Sequence, residues 1–87
     1  MNNKILIKLI VPDFDDSFDI FIPVNELIWK IKKLIVKTIF DITSIEIREY
    51  DNYVLINKGN SRVYQNNEIV INTDIRNGSE IILICQN

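Results

Sequence analysis

Between Pro23 and Asn25 the apolar spacing of this chain changes from two residues to 3.6, and that change limits the folds open to it. Before it, Ile5, Ile7, Leu9 and Val11 alternate with Lys4, Leu6, Lys8 and Ile10, the two-sided pattern of a strand. Phe18 to Ile22 resumes the alternation after Pro12 to Ser17, where Asp13, Asp15 and Asp16 supply turn chemistry and like charges that resist pairing. A hairpin follows, with Phe18, Ile20 and Ile22 inward, Asp19 and Phe21 outward, and Asp19 across from a lysine of the first strand. After the change, Glu26 to about Phe40 reads as a helix capped by Asn25. At 100° per residue, Leu27, Ile28, Ile31, Leu34, Ile35, Thr38 and Ile39 share one broad face, which must cover the sheet.

The rest of the chain returns to strand and turn signals. Asp41 to Asn52 reads as loop or short strand, because Ile45 and Ile47 alternate with Ser44 and Glu46 but Arg48, Glu49 and Asp51 follow. Tyr53 to Asn57 is a strand, Asn57-Lys58-Gly59-Asn60 its turn, and Arg62 to Tyr64 a short return. Ile69, Val70 and Ile75 are spaced apolar anchors, and Asn77-Gly78 turns the chain into the nearly continuous apolar run Glu80 to Cys85, suited to a central strand. The order strand, strand, helix, strand, short strand, strand is that of the β-grasp. The expected class is α+β: a mixed sheet of four to five strands with one helix packed across it. With 87 residues and no linker-like tract or repeat, a single domain over 1–87 is expected.

Composition narrows the chemistry. The chain has no histidine, which removes the usual general base near neutral pH, and no enzyme is expected. Cys85 is the lone cysteine, with no second thiol or histidine to share zinc, and reads as an inert thiol. Asp13, Asp15 and Asp16 imitate half of a calcium loop but lack its glycine and bidentate glutamate, and Gly59 and Gly78 stand apart from any phosphate-cradling cluster. No cofactor or metal is expected. The net charge of −2 disfavours nucleic acid as a main partner. Met1 to Val11 has neither a cleavage site nor the roughly 20 apolar residues of a membrane span, so a cytoplasmic protein is expected.

Several short words then carry a resemblance: Phe18-Asp19-Ile20-Phe21-Ile22-Pro23, Val24 to Ile28, Phe40-Asp41-Ile42, Leu55-Ile56-Asn57-Lys58-Gly59 and Asp74-Ile75-Arg76-Asn77-Gly78-Ser79. Together, from Phe18 to Ile84, they resemble the ubiquitin-like family, and more closely its YukD/EsaB branch, small cytosolic accessory proteins of type VII (ESX-like) secretion in Gram-positive bacteria. The resemblance implies a non-catalytic adaptor whose partners are cytosolic parts of a secretion assembly. Ubiquitin and the β-grasp sulfur carriers need a terminal diglycine, whereas this sequence ends Cys85-Gln86-Asn87, so conjugation or sulfur transfer is not expected.

Two binding surfaces are candidates. On the sheet's outer side, Leu6, Phe21, Ile56, Ile82 and Ile84 have no second layer to cover them, and Ile56 and Ile84 fall where the resemblance places an apolar recognition patch. Lysine stems and loops could instead shield them, since scattered exposed apolar residues are ordinary. On the helix, Trp29, Val36 and Phe40 fall nearly opposite the core-facing centre, with Lys33 beside them. They suit a homodimer contact or a partner helix, or Trp29 and Phe40 fold over the helix ends against loops. Lys30, Lys33 and Lys37 read as a solvated charged face that could also meet an acidic partner.

Overall fold

A computed structural model describes residues 3–86. Its elements are β1 (Lys4–Val11), β2 (Asp16–Pro23), α1 (Ile28–Thr43), β3 (Tyr53–Asn57), β4 (Val63–Tyr64) and β5 (Glu80–Cys85), with single 3-10 turns at Pro12–Phe14, Tyr50–Asn52 and Val70–Asn72. The five strands form one mixed sheet in the order β2-β1-β5-β3-β4. β1 pairs antiparallel with β2 and parallel with β5, and β5 pairs antiparallel with β3. The apolar run of β5 is therefore central, flanked on both sides, as its composition requires.

Alternation places the core as expected. Ile7, Leu9 and Val11 of β1, Ile20 and Ile22 of β2, Leu55 of β3 and Ile81 and Leu83 of β5 point into the layer that α1 covers, and Val70 and Ile75 close it from the long loop. Ile5 and Phe18 pack at its margin. Ile47 anchors the otherwise irregular stretch after the helix, which is loop and not strand.

The helix departs from expectation at both ends. Leu27, not Asn25, occupies the N-cap, and no side chain caps it. Instead the Ile28 N–H donates to the Glu68 carbonyl at 2.8 Å and the Trp29 N–H to that of Asn66 at 3.3 Å. The orphan donors of the first turn are thus met by a loop some forty residues away in sequence, which makes a local capping side chain unnecessary. Val24 to Leu27 is held by the same loop: the Val70 N–H donates to Glu26 and the Ile71 N–H to Val24. At the far end α1 runs to Thr43 and stops at Ser44, which is left-handed and returns its N–H to the Phe40 carbonyl.

The buried face of α1 is Ile28, Ile31, Lys32, Ile35 and Ile39. Leu34, expected inside, is 37% exposed, and Thr38 is only half-buried, whereas Lys32 is 3% exposed. The apolar arc drawn from sequence was centred too far to one side because it gave Leu34 weight by hydropathy and excluded Lys32 by charge. Lys32 lays its stem along the core edge and its Nζ donates to the Tyr53 carbonyl at 3.0 Å, at the start of β3.

The turns follow their residues. Asn57 Oδ1 accepts from the Gly59 N–H at 2.7 Å, closing the β3–β4 connection through its own side chain. Gly78 sits at φ 89°, a left-handed conformation that suits glycine, and donates to the Leu6 carbonyl. Asp13 accepts from the Tyr53 hydroxyl at 2.9 Å and Asp16 from the Ser17 N–H, so these two of the three clustered aspartates have structural work in the β1–β2 turn.

Candidate functional site

The outer side of the sheet, away from α1, is built by cross-strand register. Ile10 lies opposite Ser17 on β2 and Ile82 on β5, Ile82 opposite Ile56 on β3, and Ile56 opposite Val63 on β4. Ile10, Ile82, Ile56 and Val63 thus make an apolar row across four strands, about 14 Å long at the usual strand spacing of about 4.8 Å. Val54 and Ile84, opposite each other, add a second rank. All are half-buried except Val63, which is exposed. Sequence reasoning chose Ile56, Ile82 and Ile84 but missed Ile10, Val54 and Val63. The signal for Ile10 was present, since alternation puts it on the outer face. What was lacking was the register that brings it beside Ile82.

The register also separates residues that were grouped together. Leu6 and Phe21 face each other across β1 and β2, Phe21 at 59% exposure, but they do not join the apolar row. Asp19 and Glu80 both lie opposite Lys8, and Lys58 holds Glu80 at 3.4 Å. The resulting line Asp19, Lys8, Glu80, Lys58 alternates in sign and divides the outer face in two. Asp19 does meet a lysine of the first strand, as expected.

Val63 is turned outward because its neighbour is fixed inward. The Tyr64 hydroxyl donates to Asp74 Oδ1 at 2.5 Å and accepts from Asn57 Nδ2 at 3.0 Å. Asp74 also accepts from Asn60 at 2.8 Å, and Arg62 pairs with Glu68 at 2.9 Å and Asp74 at 3.5 Å. Burial, with the bond to Asp74, pushes the Tyr64 phenol up to about 12; the bonds from Tyr64 and Asn60 hold the Asp74 carboxyl below its usual range. This network pins the two-residue β4 to the loop that follows it, and so sets the outer margin of the patch.

The helix supplies the second surface. Val36, Trp29 and Phe40 lie on one flank of α1, between the buried face and Lys33, and not opposite the core. Val36 packs against the core margin, while Trp29 and Phe40 are about half-exposed. Phe40 and Val36 join Ile47 and Tyr50 of the following loop in a groove of about 400 Å³ whose other walls are Lys33, Lys37 and Glu46. Trp29 does not reach it; it borders a separate depression with Lys30, Lys33, Leu34 and Lys37. Burial lowers the Lys32 ammonium from its ordinary value, opposed by Asp51, and the hydrogen bond to Asp13 with burial pushes Tyr53 up to about 12. Met1, Asn2 and Asn87, on which the expectations about the chain's two ends fall, lie outside the described residues. No helix among the described residues is long and apolar enough to cross a membrane.

No family model matches the sequence, and no curated protein does. Solved structures do match. The N-terminal ubiquitin-like domain in the 4931431F19Rik protein superposes with a TM-score of 0.71 at 20% identity, over 100% of this chain and 79% of that one. The ubiquitin-like domain of the Arabidopsis thaliana protein At2g32350 gives 0.68 at 16% identity, over 99% and 81%. A structure of ATBAG1 in complex with HSP70 gives 0.70 at 15% identity over 94% of this chain, which spans 40% of that one. A structure described as molecular mimicry of SUMO that promotes DNA repair gives 0.69 at 17% identity, over 97% and 94%. With its five-stranded mixed sheet and one helix packed across it, the chain has the ubiquitin-like fold.

Proposed function

We propose that this chain is a non-catalytic protein-binding module, one domain over 1–87, that uses the outer face of its sheet to dock a protein partner in the cytoplasm. The observation that carries this reading is the row Ile10, Ile82, Ile56 and Val63 with Val54 and Ile84 behind it. Six aliphatic side chains gathered on a face that no element covers among the described residues, and bordered by a charged line, form a defined apolar site with a polar rim. Similar structures engage or imitate proteins: one is in complex with HSP70 and one concerns SUMO mimicry. The resemblance of several of its sequence words to the YukD/EsaB branch favours a bacterial type VII secretion assembly as the partner, with this chain as its adaptor or regulator.

The test is retention of partners from native lysate by wild type, by Ile56→Asp plus Ile84→Asp, and by Leu6→Asp plus Phe21→Asp, each checked for folding by circular dichroism. Loss of a secretion component with the first pair alone supports the reading. Equal retention by all three removes the outer row as the docking site, and a retained partner unrelated to secretion removes the assembly assignment while keeping the module. The competing reading is self-association through the same row, which a concentration-independent monomer mass in light scattering eliminates. A sulfur-carrier role would require a thiocarboxylate at the protein's C-terminus, which mass spectrometry detects.

A further inference from the structure

We infer that the flank of α1 is a second docking surface, separate from the outer sheet, and that its occupant is an acidic peptide segment with apolar residues on either side of the acid. The argument begins with charge. The chain as a whole is acidic, yet α1 carries Lys30, Lys32, Lys33 and Lys37 against the single Asp41. Two of these lysines are already engaged: Lys32 is buried on the Tyr53 carbonyl, and Lys30 reaches Glu26 at 3.7 Å and lies 5.7 Å from the centre of the Trp29 ring. Lys33 and Lys37 have no acidic partner among the described residues. They stand one helical turn apart, about 6 Å along the axis, and like charges at this spacing repel each other. Glu46, the acid nearest to hand in the groove, is taken by Arg48 at 3.6 Å.

The shape agrees with the charge. Lys33 and Lys37 form a ridge shared by two apolar depressions of similar size, about 400 Å³ and about 390 Å³. On one side Val36, Phe40, Ile47 and Tyr50 provide the floor; on the other, Trp29 and Leu34. A carboxylate lying on the ridge would neutralise both ammonium groups, and apolar side chains beside it would fill the two depressions. This also accounts for Leu34, Trp29 and Phe40 being left open on a helix whose core face is complete without them. A basic or purely apolar segment would leave the lysine repulsion unrelieved, and on this flank a nucleic acid would meet two lysines without an acidic partner among the described residues, beside the acids Glu46 and Asp41.

The experiment pans a phage-displayed random peptide library on the 87-residue chain, then titrates the enriched peptide, synthesised, into isotope-labelled protein. The expected peptides carry Asp or Glu flanked by aromatic or aliphatic residues, shift the amides of Lys33, Val36, Lys37, Phe40, Ile47 and Tyr50, and weaken in high salt. Lys33→Glu plus Lys37→Glu, which changes only exposed side chains, is expected to lower affinity about tenfold or more, and Phe40→Ala to lower it with the lysines intact. Ile56→Asp plus Ile84→Asp is expected to leave this binding unchanged, which separates the result from that for the outer sheet. Enriched peptides without acids, shifts confined to the outer sheet, affinity indifferent to Lys33 and Lys37, or no peptide acting on the helix would each overturn the inference.

Discussion

Lys32 is the residue whose role charge alone would have misjudged. Its ammonium is held by one backbone carbonyl at the core edge, and burial lowers its pKa from 10.5. Replacing a buried charge by an apolar group of similar length is often neutral or stabilising, whereas truncating the stem opens a cavity. Lys32→Met is therefore expected to change stability by less than about 1 kcal/mol, and Lys32→Ala to cost about 2 kcal/mol or more, measured by urea denaturation at pH 7. The titrations have opposite signs. Because the folded-state pKa of Lys32 lies below that of the unfolded chain, the unfolded state binds more protons in that window, and stability rises with pH there. Tyr53 and Tyr64, raised from 10.0 to about 12, keep protons that the unfolded chain loses, so their contribution is present below pH 10 and is lost as pH climbs toward 12. Alkaline unfolding is accordingly expected to be steeper in Lys32→Met than in wild type, and shallower in Tyr64→Phe. Asp74, lowered from 3.8, contributes stability above that value that is lost as pH falls through its folded pKa; Asp74→Asn is expected to flatten the acid limb.

At the scale of the helix, hydropathy and geometry disagree over Leu34 and Ile35. Ile35 is completely buried and Leu34 is among the exposed apolar residues. Ile35→Ala is expected to cost about 2–5 kcal/mol and Leu34→Ala under about 1 kcal/mol, since the second leaves no cavity and alanine is the better helix former. Equal losses in chemical denaturation would place the buried face where periodicity alone put it. In the sheet, the alternating line Asp19, Lys8, Glu80 and Lys58 is held by register. Glu80→Lys sets three lysines side by side across adjacent strands; the expected cost is about 0.5–1 kcal/mol, and it is expected to shrink in high salt because these side chains are exposed. A salt-independent loss would mean that the line is held by packing and not by charge.

For the whole molecule, the mixed sheet decides which residues can act together. Ile10 and Ile82 are more than seventy positions apart in the chain and meet only because β1 and β5 run parallel at the centre of the sheet. If the row they form with Ile56 and Val63 is a working surface, Ile10→Lys is expected to weaken partner retention as strongly as Ile56→Asp while leaving the unfolding midpoint nearly unchanged, as measured by pull-down alongside thermal melts. Loss of folding in both would instead make the row part of the stabilising packing. The sequence by itself determined the element order, the inward and outward faces of β1, β2 and β5, and the turns at Asn57 and Gly78, because alternation, periodicity and turn chemistry act between near neighbours. Only the tertiary structure decided the rest. It replaced a capping side chain at Asn25 by carbonyls of the loop 66–68, drew Lys32 into the core edge through the Tyr53 carbonyl, split Leu6 and Phe21 from Ile56, Ile82 and Ile84, and moved Trp29, Val36 and Phe40 to the helix flank. Each of these depends on cross-strand register or on a partner distant in sequence, and neither is encoded in the spacing of residues along one element.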